Sequence, residues 1–126
     1  MTTTPHMIHE PTRFTLNQLA SKVYTIATAH GFHKGEYIGG QTVERMAAFV
    51  ANLHGEVSEL WEAVRKNKLF LQCDKPIPMN CAEEELADIV IRALDTAASL
   101  GIDIGRAVQI KSAYNETRPY MHGKAA

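Results

Sequence analysis

The run TVERMAAFVANLHGEVSELWEAVRKN, residues 42–67, decides the fold. Val43, Met46, Val50, Leu53, Val57, Leu60 and Val64 recur at three- and four-residue steps, which gathers them into one stripe on a helix and would scatter them over both faces of a strand. The period predicts a long amphipathic helix whose apolar side needs partners. Glu56 and Glu59 stand three residues apart on it, and residues i and i+3 are surface neighbours. At 100° per residue, Glu56 falls about 80° and Glu59 about 140° from the stripe centre, with Asn52 between them. Glu62 lies further round. Trp61 and His54 fall on the other flank, where a core or subunit-interface place is expected. Arg65, Lys66 and Lys68 gather at the C-terminal end, where cations complement the helix dipole.

A second stretch repeats the arrangement. Asn80 followed by Glu83 reads as a capping box, Leu86, Ile89, Val90, Ala93, Ala97 and Leu100 form an apolar face, and Gly101 closes the helix. Glu85 and Asp88 again stand three residues apart, about 110° and about 170° from the centre of that face. If the two helices lie side by side, four carboxylates share one small volume. At ~5 Å and an effective dielectric of ~20, each like-charge pair then costs roughly 3 kcal/mol. A cation relieves that cost. An all-oxygen set without Cys or His suits a hard ion such as Mg²⁺, which meets its substrates through phosphates. A plainer account stands beside this one. Glu is a good helix former that usually faces water, Glu85 sits where acids suit a helix N-terminus, and Asp88 with Arg92 four residues on makes an ordinary exposed ion pair. The sharper account makes Arg92 a partner for phosphate or carboxylate.

Two further helices complete the reading. Thr15 and Gln18 cap the first, with Leu16, Leu19, Val23 and Ile26 on its apolar side and Gly31 at its end. Asp103 caps the last, in which Ile104, Ala107, Val108 and Tyr114 give a weaker apolar face, Lys111, Asn115 and Arg118 form a donor stripe, and Pro119 is the stop. Residues 31–40, GFHKGEYIGG, combine flexible glycine backbone with Phe32, His33, Lys34 and Tyr37, a loop able to close over a nucleobase or simply to join two helices. Residues 68–80 form a long connection broken by Pro76 and Pro78, in which Leu69, Phe70 and Leu71 are expected to pack.

At 126 residues the chain is one domain over residues 14–126, preceded by an aperiodic tail over 1–13 expected to be mobile. His6 and His9 in that tail could share a metal only on a helix, which Pro5 and Pro11 oppose. The formal charge of -1, without a run of Lys or Arg, argues against nucleic acid and anionic membranes as partners. With no leader-like start and no run of 18 apolar residues, a cytoplasmic protein is expected. Cys73 and Cys81 fit neither a zinc knuckle nor a redox pair and are read as free thiols.

The order Glu56 and Glu59, then Glu85 and Asp88, then Lys111, Asn115 and Arg118 resembles the MazG-like all-α nucleoside triphosphate pyrophosphohydrolases. The resemblance runs from about residue 15 to residue 124 and is most specific in AEEELADIVIRALDTAASLGIDI, residues 82–104, and KSAYNETRPYMHGK, residues 111–124. It implies an all-α four-helix-bundle fold working as a homodimer or homotetramer, and cleavage of a nucleoside triphosphate to the monophosphate and pyrophosphate, a nucleotide-pool clean-up activity. Glu56, Glu59, Glu85 and Asp88 carry over as catalytic ligands of Mg²⁺, for which Mn²⁺ can substitute, with one glutamate orienting or deprotonating the attacking water. Lys111, Asn115 and Arg118, with Arg92 and His33, are the expected substrate-binding residues. Within the superfamily, a dUTP-preferring or phosphoribosyl-ATP-cleaving relative is the near alternative. The rival from another class is a non-catalytic helical module for oligomerisation or nucleotide sensing. A di-iron bundle is excluded, because no Glu here has a His three positions later.

Overall fold

The structure, a computed structural model, describes residues 13–33 and 43–123. Among these, four α-helices and no strand are present: α1 Leu16–Ala29, α2 Val43–Arg65, α3 Cys81–Ser99 and α4 Ile104–Glu116, followed by a short 3₁₀ turn at Tyr120–Gly123. Most of the N-terminal tail with His6 and His9, the part of the glycine-rich loop carrying Lys34 and Tyr37, and Lys124 lie outside the described residues.

Local chemistry sets the helix ends. At α1, Gln18 N donates to Thr15 Oγ1 at 3.2 Å while Thr15 N donates to Gln18 Oε1 at 2.9 Å. The same reciprocal box opens α3, where Glu83 N donates to Asn80 Oδ1 at 2.8 Å and Asn80 N to Glu83 Oε1 at 3.0 Å. Three helices end alike. Phe32 N reaches Ala27 O, Lys68 N reaches Ala63 O and Ile102 N reaches Ala97 O, each across a residue of positive φ: Gly31 at 88°, Asn67 at 54° and Gly101 at 68°. These are Schellman ends, which Gly and Asn adopt at least cost.

α3 is the central element. It packs along both α1 and α2, while α4 meets α1. Two hydrogen bonds of one side chain join the last pair: Asn17 Nδ2 donates to Asp103 Oδ1 at 2.7 Å, and Gly105 N donates to Asn17 Oδ1 at 2.9 Å. The hydrogen bond from Asn17, with that from the Arg106 N–H, holds the Asp103 carboxyl below the usual carboxylate range. Ala20 of α1 and Leu94 and Ala97 of α3 are buried, with Cys73 from the connection. α2 buries no residue completely, and Trp61 on its flank is 60% exposed.

The connection at 68–80 departs from expectation. Phe70 is 82% exposed and Leu71 is also exposed, so their side chains do not anchor it. Backbone pairing does: Cys81 N donates to Leu71 O, Ala82 N to Leu69 O and Cys73 N to Met79 O, with an isolated antiparallel bridge between Gln72 and Asn80. These bonds turn the segment back on itself and leave Cys73, not Phe70, facing inward. Cys73 and Cys81 are free thiols. Among the described residues, no helix is long and apolar enough to cross a membrane.

Candidate functional site

The packing of α2 along α3 brings Glu56, Glu85 and Asp88 together, with one carboxylate oxygen of each within 4.8 Å of the others and all three side chains half-buried. Glu59 stands outside that spacing. It is exposed and borders two grooves, one of about 370 Å³ shared with Glu84, Glu85, Lys66, Lys68 and Lys75, the other of about 290 Å³ shared with Glu56, Arg92, Phe32 and Asn52. Of the four carboxylates expected to converge, three form a cluster and the fourth stands at its rim.

The electrostatics follow from the geometry. Burial raises Glu85 above the ordinary carboxylate pKa, and the charges of Glu84, Asp88 and Glu59 push it the same way. Burial also raises Asp88, helped by Glu84 and opposed by Lys75 and Arg92. Both groups therefore bear a cost when ionised that a nearby cation would relieve. Glu84 was not singled out by the sequence, yet it is buried at the cluster's edge and bonded to Lys75 Nζ at 3.0 Å. Its four-residue spacing to Asp88 is the signal that could have found it. Lys75 also holds Asp74 at 2.8 Å, and these two bonds, Asp74 first, raise the lysine well above its ordinary value.

Arg92 does not simply pair with Asp88 along its own helix. Its Nε lies 3.5 Å from Glu56 Oε1 across the α2–α3 contact, and its guanidinium stands 5.3 Å from the centre of the Phe32 ring. One carboxylate of the cluster thus already has a cationic neighbour. Glu62 bonds both its oxygens to Arg65 Nη1 at 2.9 Å and stays out of the cluster.

His33 sits elsewhere than a substrate contact would. It is 5% exposed, its Nε2 lies 2.7 Å from Asp95 Oδ1, its Nδ1 is 3.4 Å from Ser99 Oγ, and Tyr24 stacks on it at 4.5 Å. Both ring nitrogens face protein, so the group open to solvent here is Phe32. The α4 stripe also lies apart. Lys111 Nζ and the Arg118 guanidinium stand over the Tyr114 ring at 4.8 and 5.7 Å, and neither groove bordered by Glu59 includes a residue of α4. Asn115 Oδ1 is buried without a hydrogen-bond partner among the described residues.

Comparison with models of known families, with curated proteins and with solved structures gives no match. What the arrangement can do chemically therefore rests on its own residues.

Proposed function

We propose that the protein is a Mg²⁺-dependent nucleoside triphosphate pyrophosphohydrolase of the MazG-like kind, cleaving (d)NTP to (d)NMP and pyrophosphate. The observation that carries this reading is the carboxylate cluster drawn from two packed helices, Glu56 with Glu85 and Asp88, all within 4.8 Å. The donor set fits a hard divalent cation: oxygen only, half-buried, and raised in pKa at Glu85 and Asp88. Mn²⁺ would be accepted in its place. When bound, the ion supplies charge neutralisation and Lewis-acid polarisation at the phosphate chain.

The chain's own groups divide the remaining work. Arg92 holds Glu56 in position and offers its other N–H donors to a phosphate oxygen. Glu59, exposed between the two grooves, is assigned the task of orienting a water and taking its proton. Phosphoryl transfer asks for little else than such positioning and charge.

The assembly belongs to the same proposal. α2 leaves Val50, Val57 and Trp61 exposed, and a symmetric homodimer or homotetramer is the usual way to cover such a face. In it, Lys111 and Arg118 are assigned to triphosphate oxygens and the orphaned Asn115 carbonyl to a sugar or base donor. The setting is cytoplasmic.

A panel of canonical and modified nucleoside triphosphates, including dUTP and phosphoribosyl-ATP, incubated with Mg²⁺ and separated by anion exchange, tests the reading. Monophosphate plus pyrophosphate is the expected outcome. A panel left intact would make the protein a non-catalytic helical module.

A further inference from the structure

We infer that the groove between Phe32 and Asn52 takes the nucleobase, with Phe32 as its stacking platform and Asn52 as the residue that reads its edge; this rests on the pyrophosphohydrolase reading above. The backbone turns through the left-handed Gly31, and His33 is then pinned by Asp95 and Tyr24, so the neighbouring Phe32 ring is held on the outside, 63% exposed. Arg92 stands over the ring while its Nε faces Glu56, which ties the aromatic surface to the carboxylate cluster through a single side chain. A rigidly mounted, exposed aromatic ring beside a polyphosphate site is what a flat heterocycle requires, because every base offers a π-face.

Four more observations define the groove. Its volume of about 290 Å³ is at the small end of ligand sites, which run roughly 300–1,000 Å³, and is room for a base with its sugar rather than for a whole triphosphate. Glu56 and Glu59 line the groove, and Glu56 belongs to the cluster with Glu85 and Asp88, so a base seated there sends its phosphates toward the carboxylates. A Cβ added at Gly55 would meet no atom within 4 Å, so the helix wall is open where the ligand would lie. Asn52, about one turn before Gly55, is exposed, and its amide makes no hydrogen bond among the described residues. It offers a donor and an acceptor together, the pair that discriminates bases by their edges.

Calorimetry with Mg²⁺ and α,β-methylene triphosphates of the common bases, beside Mg²⁺ with inorganic tripolyphosphate, tests this. Phe32→Ala should weaken all the nucleotides about 5- to 150-fold, the span of base–aromatic stacking, and Phe32→Tyr should retain affinity. Gly55→Leu, which fills open space and replaces a poor helix former, should weaken the nucleotides without unfolding the protein. Asn52→Ala should change the rank order of the bases. All these variants should bind Mg²⁺–tripolyphosphate as the wild type does. Nucleotide affinity unchanged in both Phe32→Ala and Gly55→Leu would overturn the inference, as would equal losses for nucleotides and tripolyphosphate. Wild-type binding of tripolyphosphate with no gain from any base would overturn it alone, and binding of neither would overturn the function reading with it.

Discussion

Replacing Asp88 by Asn should make the metal-free protein more stable and the Mg²⁺-loaded protein relatively less so. Asp88 shares its volume with Glu56 and Glu85, all within 4.8 Å, and at an effective dielectric of ~20 each such pair repels by roughly 3 kcal/mol. The groups are only half-buried, so water and salt leave about 1 kcal/mol per pair. Asp88 belongs to two of the pairs and is also repelled by Glu84, and its neutralisation gives up the attraction of Lys75 and Arg92, each worth about 0.5–1 kcal/mol. The net gain is about 1 kcal/mol without metal, a rise of about 3–6 °C in Tm for a chain of this size. With Mg²⁺ at a hundred times its Kd the wild type gains about 2.7 kcal/mol by mass action, and the variant, short of a ligand, gains little. The order of stability should therefore reverse between EDTA and saturating Mg²⁺, as read by urea unfolding followed by circular dichroism. If Asp88→Asn were the less stable protein in EDTA, or if Mg²⁺ moved neither midpoint, the carboxylates would not be repelling one another around a cation site.

The pH dependence follows from the same groups. Folded Glu85 and Asp88 keep their protons at pH values where the unfolded chain has released them, so their contribution is present below the ordinary carboxylate pKa and is lost as pH rises through their raised values. In EDTA, the advantage of a Glu85→Gln, Asp88→Asn double variant over the wild type should thus grow with pH across the weakly acidic range, and a constant difference in urea midpoint would contradict this. Asp95→Ala should destabilise the protein by about 1–3 kcal/mol, because it leaves the buried His33 ring short of its 2.7 Å partner; an unchanged melting temperature would show the pair to be idle. Lys111→Ala and Arg118→Ala should each weaken a non-hydrolysable triphosphate more than the matching nucleoside, and unchanged triphosphate affinity in both would return the α4 stripe to plain surface.

What the sequence made legible was whatever depends on residues close in the chain. The boxes at Thr15 and Asn80 and the stops at Gly31 and Gly101 are local hydrogen-bond chemistry, and spacing alone was enough to find them. The pairing of Glu56 with Glu85 and Asp88 was also within reach, because each helix carries its acids on the same side of its apolar stripe. The place of Glu59 was not. A helical wheel gives angle about one axis, whereas the distance from Glu59 to its counterparts depends on how far α2 slides along α3 and at what angle they cross. Phe32 and His33 look alike in the sequence as parts of one aromatic loop; the partner that draws His33 inward, Asp95, lies 62 residues away and has no local signature. Hydrophobicity alone puts Phe70 and Leu71 inside, but the backbone bonds from residues 73, 81 and 82 to the connection set its path instead.

In the proposed function, the α2–α3 carboxylates hold a cation that lets the protein break a phosphoanhydride bond of a nucleotide. Phosphorus NMR of a nucleoside triphosphate mixed with the wild type, with Asp88→Asn and with Glu59→Gln, each with Mg²⁺ and with EDTA, tests it most directly. Growing resonances of monophosphate and pyrophosphate are expected in the wild type with Mg²⁺ alone, and little or none in either variant or in EDTA. Orthophosphate as the first product, or equal turnover by wild type and both variants, would contradict it.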